Sequence, residues 1–298
     1  MATTDRYLHL TALGQKAFAR GHLKWALNLF SAAEEEAKKS GDRDLADRAF
    51  CNRCVVLLEL DRLDSNVGEL KNVLMRSRDP FTSWMAAYYT AQVYEAEGKL
   101  ERALAYARRA RELAQTCGDQ RTLFHSSNQH GVFALRQSQF SEAAASFSLA
   151  LELGPQVGVD AVALAIARDN LGYCLMCTGQ SEEGLALCED AAASLEKLGS
   201  RQYLAEVYQD LCYGHLQLGH FGQARKFGEK ALALAREFNQ EDIERNVIML
   251  LADAALDAGD ETNAAFYLRQ LSRFYSDFRG MESFLRAFNV REVINLKA

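Results

Sequence analysis

Two pairs of cysteines are the most reactive arrangement in the sequence. The chain has seven cysteines, and four of them stand as Cys-x-x-Cys pairs, Cys51 with Cys54 and Cys174 with Cys177. Each pair has the spacing of half a tetrahedral zinc site, which four thiolates complete. Each pair also lies within a predicted helix, where free cysteine behaves as a small, buried apolar residue. We favour this second interpretation and predict no metal site.

Histidine pairs and glycine motifs indicate no catalytic site either. His125 and His130 are five residues apart, as are His215 and His220, whereas a spacing of four places two ligands on one helical face. The sequence contains neither a phosphate-binding glycine-rich loop nor a nucleophile elbow. We therefore predict no catalytic residues, no cofactor and no enzymatic activity. A catalytic group assembled across distant parts of the chain is the alternative.

Composition restricts the partners and the compartment. The net charge is -6, and a mildly acidic chain is poorly suited to non-specific nucleic-acid binding, which needs clustered Lys and Arg. No apolar run approaches the ~18 residues of a membrane span, and the start of the chain lacks the basic and apolar regions of a signal peptide. An odd number of cysteines without such a signal indicates reduced thiols. We predict a cytoplasmic protein that binds neither nucleic acid nor membranes.

Small residues recur along the chain with a period of about 40 residues, which indicates an internal repeat. The first slot holds Gly, Ala or Cys in every unit: Gly14, Cys54, Ala91, Gly131, Gly172, Cys212 and Ala252. The second slot, twelve residues on, is mostly Ala: Ala26, Asn66, Ala103, Ala143, Gly184, Ala224 and Ala264. A third slot follows seven residues later: Ala33, Val73, Ala110, Ala150, Ala191, Ala231 and Leu271. The turn slot, seven residues after the first slot, is mostly Gly: Gly21, Asp61, Gly98, Ser138, Gly179, Gly219 and Gly259.

These slots predict an all-α fold of paired helices. Two antiparallel helices approach closely only where their side chains are small, and a tight turn between them favours glycine. One pair cannot bury its apolar face alone, so consecutive pairs stack into a solenoid. We predict one array over residues 1–298, with a cap helix at 281–298. The seven predicted repeats lie near residues 6–40, 44–79, 82–118, 121–155, 160–199, 201–239 and 241–278.

Residues 128–155 show the repeating unit most clearly. Ala143, Phe147 and Ala150 form one stripe of its second helix, and Pro155 ends that helix because proline cannot continue it. This unit resembles the tetratricopeptide (TPR) helix–turn–helix. Residues 169–172, Asp-Asn-Leu-Gly, are similar to the signature of long-period TPR arrays such as those of kinesin light chains and bacterial peptide-sensing regulators. The resemblance implies a right-handed TPR superhelix.

The resemblance also implies which residues face a partner, because the first helix of each TPR pair lines the concave groove. The offsets carried over from the family give this predicted groove: Asn52, Tyr88, Gln92, Asn128, Gln129, Asp169, Asn170, Tyr173, Asp210, Tyr213 and Asp253. Asn246 has the same placement in the seventh unit. Amide side chains pair with both groups of a peptide backbone, and tyrosines give rigid contact area. The aspartates favour a ligand with some positive charge.

We predict a non-enzymatic protein-interaction scaffold that holds a peptide or partner segment in this groove. One alternative is a ligand-responsive sensor module that acts with a fused or recruited output domain. Another is self-assembly, as a homodimer, through the last helix, and a third is a groove that is merely hydrophilic. The apolar residues 293–296 near the end of the sequence are compatible with core packing, with a dimer contact or with a junction to a longer protein.

Overall fold

The chain is all-α over the residues that its computed structural model describes, which are 3–60, 62, 66–287, 289, 291 and 294–298. Fifteen α-helices and no strand occur within these residues. Apart from α15, the helices are paired in sequence, and the two members of a pair are joined by a short turn. This confirms the predicted all-α helical-repeat fold of the solenoid type.

The chain divides into two compact units, Met1–Phe133 (unit 1) and Ala134–Ala298 (unit 2). Unit 1 holds α1 (Thr3–Ala19), α2 (Leu23–Ser40), α3 (Arg43–Glu59), α4 (Val67–Arg76), α5 (Pro80–Ala96), α6 (Leu100–Cys117) and most of α7 (Gln120–Arg136). Unit 2 holds α8 (Phe140–Leu153), α9 (Ala161–Cys177), α10 (Ser181–Leu198), α11 (Arg201–Gln217), α12 (Phe221–Glu237), α13 (Glu241–Asp257), α14 (Glu261–Leu271) and α15 (Phe278–Ala287). The single array over residues 1–298 stays a prediction, as does the handedness of a superhelix.

The small-residue slots mark the points where paired helices approach most closely. Gly172 on α9 faces Gly184 on α10, and a Cβ placed on Gly172 would lie 2.6 Å from the carbonyl oxygen of Gly184. That distance is too short for any side chain, so both positions of this pair need glycine. In unit 1 the same two slots hold Ala91 and Ala103, and both are fully buried. The close-approach interpretation of the slots is confirmed.

In the turn slots that the structure describes, a residue in the left-handed conformation follows the first helix of the pair. Gly179 has φ +86°, a conformation that glycine adopts without steric cost. Ser138 occupies the same slot with φ +57°, so a non-glycine residue adopts the turn between α7 and α8. Asp61, in the turn slot of the second repeat, lies outside the described residues.

The end of the chain differs from the predicted cap helix at 281–298. The last helix, α15, ends at Ala287, and residues 294–298 form a turn instead of a helix. Phe288, Val290, Glu292 and Val293 lie outside the described residues. The helical prediction is therefore wrong for 294–298, because the N–H of Leu296 donates to the Tyr173 hydroxyl and the N–H of Lys297 to the Asn295 side chain, and not to carbonyls four residues back.

Candidate functional site

The first helices of three successive pairs in unit 2 carry a row of polar side chains. Helix α11 packs against both α9 and α13, so these three helices form one continuous surface. We call this surface the inner face of unit 2. Its polar residues recur at spacings of three, four and seven, which places those of each helix on one side. They are Asp169, Asn170 and Tyr173 on α9, Glu206, Asp210 and Tyr213 on α11, and Asn246, Asp253 and Asp257 on α13.

Among the described residues near the end of the sequence, Arg291 and 294–298 lie on this inner face, and we call the stretch that contains them segment 289–298. The side chain of Lys297 inserts into the face, with only 5% of that side chain exposed. Its Nζ lies 2.9 Å from Asp169 Oδ2 and 2.7 Å from Asp210 Oδ2. Glu206 Oε1 is 3.0 Å away, and the amide oxygen of Asn170 accepts a hydrogen bond of 2.9 Å from the same ammonium. The pocket therefore surrounds one cation with three carboxylates and an amide.

The backbone of the segment is bound next to this pocket. The N–H of Leu296 donates to the Tyr173 hydroxyl at 2.9 Å, and the side-chain amide of Asn246 donates to the Leu296 carbonyl at 3.0 Å. The Leu296 side chain is itself buried. Both backbone groups of one residue are thus paired with side chains of the inner face, which is how a protein holds a peptide without regard to the peptide's side chain.

Asn295 extends the contact towards the end of α7. Its side-chain amide donates to the carbonyl of Leu135 at 2.7 Å and to the Ser138 hydroxyl at 3.2 Å. Its Oδ1 accepts from the Lys297 N–H at 3.0 Å, which fixes the turn that directs Lys297 into its pocket. The positive φ of Ser138 thus belongs to a turn that the segment contacts.

Arg291 makes the second charged contact of the segment, on α13. Its Nη1 lies 3.0 Å from Asp253 Oδ2 and 2.6 Å from Asp257 Oδ2. The Tyr213 hydroxyl donates to the Arg291 carbonyl at 3.3 Å. Arg291 and Lys297 are six residues apart, so the inner face of unit 2 recognises two cations at the two ends of a short stretch of chain.

Burial and charge have opposite effects on the ionisation of this site. Burial disfavours the charge of Lys297, but Asp169, Asp210 and Glu206 outweigh it and raise the pKa of the ammonium well above its usual value. Burial also raises the pKa of Asp210, although Lys297 acts in the other direction. Within the described residues, the ion pairs of the site set five carboxylates against two cations. The inner face of unit 2 therefore has negative charge that the segment does not neutralise.

The predicted groove residues fall into two groups. All six in unit 2, namely Asp169, Asn170, Tyr173, Asp210, Tyr213 and Asp253, contact segment 289–298. The other five, Asn52, Tyr88, Gln92, Asn128 and Gln129, belong to unit 1 and are half-buried or buried. There, the amide of Gln129 donates to the Tyr88 carbonyl at 3.2 Å, and burial raises the pKa of Tyr88 to about 12. That any of the eleven residues binds a partner stays a prediction.

Sequence analysis missed two acidic residues and the segment itself. Glu206 precedes Asp210 by four residues, and Asp257 follows Asp253 by four, so each pair shares one helical face. This spacing was the available signal for a doubled negative charge. The segment carries Arg291 and Lys297, whose positive charges match the predicted aspartates of the groove. No local pattern connects these two residues with helices more than thirty residues away in the sequence.

The described part of the chain shows neither a metal-binding cluster nor a helix that could span a membrane. Among these residues, no group of three or more His, Cys, Asp and Glu side chains is arranged to hold a metal ion. Both Cys-x-x-Cys pairs lie within helices, α3 and α9, and all seven cysteines are free. Searched over the same residues, no helix combines the length and the apolar character that crossing a membrane requires.

Comparison with known families identifies the class of repeat. Residues 162–237, which span α9 to α12, match the family model of the tetratricopeptide repeat. This match covers part of unit 2, so α9 to α12 are similar in sequence to tetratricopeptide repeats, and the helical-repeat fold agrees with that similarity. No curated protein matches the sequence.

Solved structures share the fold at low sequence identity. The quorum sensor NprR from B. thuringiensis, in its apo form, is 14% identical with a TM-score of 0.63, over 95% of this chain and 79% of that one. NprR in complex with its cognate peptide NprX is 13% identical with a TM-score of 0.66, over 96% and 83%. A Rap protein complexed with competence and sporulation factor is 12% identical with a TM-score of 0.64, over 92% and 78%. At these identities the likeness shows the fold alone.

Proposed function

We propose that this protein is a non-enzymatic interaction scaffold whose inner face of unit 2 binds an extended, positively charged segment of a partner protein. The observation that carries the proposal is the binding of segment 289–298 to that face. Side chains of three helices pair with both backbone groups of Leu296 and enclose the Lys297 ammonium. Such a surface has the hydrogen-bonding groups and the charge that a peptide ligand needs.

The chemistry of the face supports a peptide over a small anion or a nucleic acid. Asp169, Asp210 and Asp253 are all buried, and buried carboxylates need a cation to compensate them. Nucleic acid would bring phosphates to carboxylates, which repel them. A lysine or arginine side chain of a partner segment supplies the missing charge.

Two of the similar structures support the proposal by what their own titles state. NprR is described with its cognate peptide NprX, and a Rap protein with competence and sporulation factor. Both share the helical-repeat fold of this chain. The inference drawn for this chain is that its inner face likewise accommodates a chain segment, and the location of that site rests on the contacts described above.

Selection from a displayed library of random decapeptides tests this function. Peptides selected on the wild-type protein should be enriched in pairs of Lys or Arg. Asp169→Asn with Asp210→Asn should weaken their binding at least tenfold, which corresponds to a total loss of about 1.4 kcal/mol of binding free energy. Asp190→Asn is the matched control, because Asp190 is exposed on α10. Selected peptides that bind the double variant and the wild type equally would refute a binding site on this face.

A further inference from the structure

We propose that segment 289–298 is an internal ligand, which competes with the partner for the inner face of unit 2, and that the partner segment is linear and more basic than 289–298. This inference rests on the proposed function and adds the regulation of the site and the charge of its ligand.

The contacts of the segment are those of an exchangeable ligand and not of a core element. Lys297, Asn295 and Arg291 bind through ion pairs and hydrogen bonds, and Leu296 is the one apolar side chain among the described residues of the segment that is buried. A helix or strand of the core is held mainly by buried apolar area. Polar contacts of this kind can be replaced, one for one, by those of another peptide.

The charge of the site indicates what such a peptide carries. Residues 289–298 contain one arginine, one lysine and one glutamate, so the segment brings a net charge of one to a site with five carboxylates in its ion pairs. A linear segment with a third cation and no acidic residue neutralises more of this charge. It therefore binds more tightly than 289–298 does when both are free peptides.

The tether gives the internal segment its advantage over such a peptide. A ligand joined to its site by a short linker has an effective concentration of the order of millimolar. A partner in solution binds only the fraction of molecules whose inner face is free, and its apparent affinity falls by that fraction. The segment thus sets a minimum affinity or concentration that a partner needs in order to displace it. A partner reaches this minimum by a higher positive charge or by a higher local concentration.

Fluorescence anisotropy with a labelled decapeptide, NVREVINLKA, tests this competition. The peptide has the sequence of residues 289–298 and is titrated with the full-length protein. The variant Asn295→Ala with Lys297→Gln loses the ion pairs of Lys297 and the side-chain hydrogen bonds of Asn295 and so weakens the hold on the internal segment. It should bind the peptide at least tenfold more tightly than the wild type does. Lys197→Gln removes an exposed lysine on α10 and should bind as the wild type does. The same peptide with lysine in place of its glutamate should bind every protein more tightly.

The outcomes separate the competition from the binding function. Equal affinity of the peptide for the wild type and the double variant refutes competition and leaves the binding function in place. Absence of binding to either protein refutes both. Because the double variant exposes buried carboxylates and its fold is at risk, a second measurement uses the wild type alone. Saturation with the lysine-substituted peptide should accelerate hydrogen exchange of the Leu296 amide, and an unchanged rate refutes competition.

Discussion

Unit 1 and unit 2 are built from the same kind of helix pair but differ in the charge of the residues at their predicted groove positions. In unit 1 these positions hold neutral amides and a tyrosine, and Gln129 donates to the Tyr88 carbonyl within the unit. In unit 2 they hold three buried aspartates, and Lys297 and Arg291 of the final segment pair with them. The repeat slots determine how the helices pack, whereas the residues between those slots determine what the face binds.

The units also differ in where their buried ion pairs lie. In unit 1, Arg76 of α4 pairs with the buried Asp47 of α3, so this pair joins two helices of one repeat. In unit 2, Lys297 comes from outside the helix pairs. The same chemistry therefore stabilises a repeat in one unit and holds a segment on the surface in the other.

The largest expected effect concerns the packing that both units share. Gly172→Ala gives unit 2 the residue type that unit 1 has at Ala91, but its Cβ would meet the backbone of Gly184 at 2.6 Å. We expect the free energy of unfolding of unit 2 to fall by about 3 kcal/mol, because backbone cannot move aside as a flexible side chain can. Urea denaturation followed by circular dichroism measures this loss.

The control for this substitution is Gly222→Ala on α12, where a Cβ meets no atom within 4 Å. It should leave the denaturation midpoint unchanged or slightly higher, because Ala is a better helix former than Gly. If Gly172→Ala proved as harmless as the control, the close approach of α9 and α10 would not require glycine, and the explanation of the first slot would fail for unit 2.

The second prediction tests the ion pair of unit 1. Arg76→Gln leaves the buried Asp47 carboxylate without its guanidinium partner. Removing one partner of a fully buried pair costs about 3–5 kcal/mol. Because Arg76 is partly exposed, we expect the free energy of unfolding of unit 1 to fall by about 2 kcal/mol. Differential scanning calorimetry measures the shift.

Arg109→Gln is the control for the ion-pair substitution, since Arg109 pairs with Glu112 on the exposed surface of α6. Its effect should stay below about 0.5 kcal/mol. Equal effects of the two substitutions would show that the Asp47 pair contributes no more than a surface pair does. The contrast between a structural ion pair in unit 1 and a ligand-like one in unit 2 would then be lost.

The smallest expected effect concerns thiol reactivity. Burial raises the pKa of Cys54 in unit 1 to about 12 and that of Cys177 in unit 2 to about 11. Because both pKa values are raised, few of these side chains are in the reactive thiolate form at pH 8, about one in 10³ for Cys177. Cys177 lines the same cavity as Ile294 and Asn295.

Release of segment 289–298 should therefore affect one of these cysteines and not the other. In Asn295→Ala with Lys297→Gln, we expect alkylation of Cys177 by iodoacetamide to accelerate roughly threefold as its burial decreases, with Cys54 unchanged. Mass spectrometry of the modified peptides gives both rates in one sample. Acceleration at both cysteines would indicate general loosening of the fold. Acceleration at neither would show that the segment does not shield Cys177.

The sequence was sufficient to predict the repeat but not what lies on its inner face. Small residues at a period of about 40 residues reveal the helix pairs, because close packing acts between neighbours in sequence. Helical offsets also selected Asp169, Asp210 and Asp253, all of which the structure places at one site. The six unit-2 residues were found because each repeat presents the same face.

The final segment could not be predicted in the same way. Met281, Phe284 and Leu285 have helical spacing, and α15 forms there. At Leu296, however, the backbone N–H bonds to the Tyr173 hydroxyl of the inner face and not to a helical carbonyl. The decisive contact joins Lys297 to Asp169, 128 residues apart in the sequence. A local pattern carries no information about a pairing at that separation without knowledge of how the helices pack.

Competitive acetylation of the lysines of the wild-type protein by acetic anhydride tests the central claim most directly. Burial shields the amine of Lys297, and the neighbouring carboxylates raise its pKa and keep it protonated. Each unit by which the pKa rises lowers the reactive fraction tenfold. Lys297 should therefore react at least tenfold more slowly than the exposed Lys197, and the lysine-substituted decapeptide should remove most of that protection. If Lys297 reacted as fast as Lys197 with no peptide present, the segment would not occupy the inner face of unit 2, and the account of this site would be wrong.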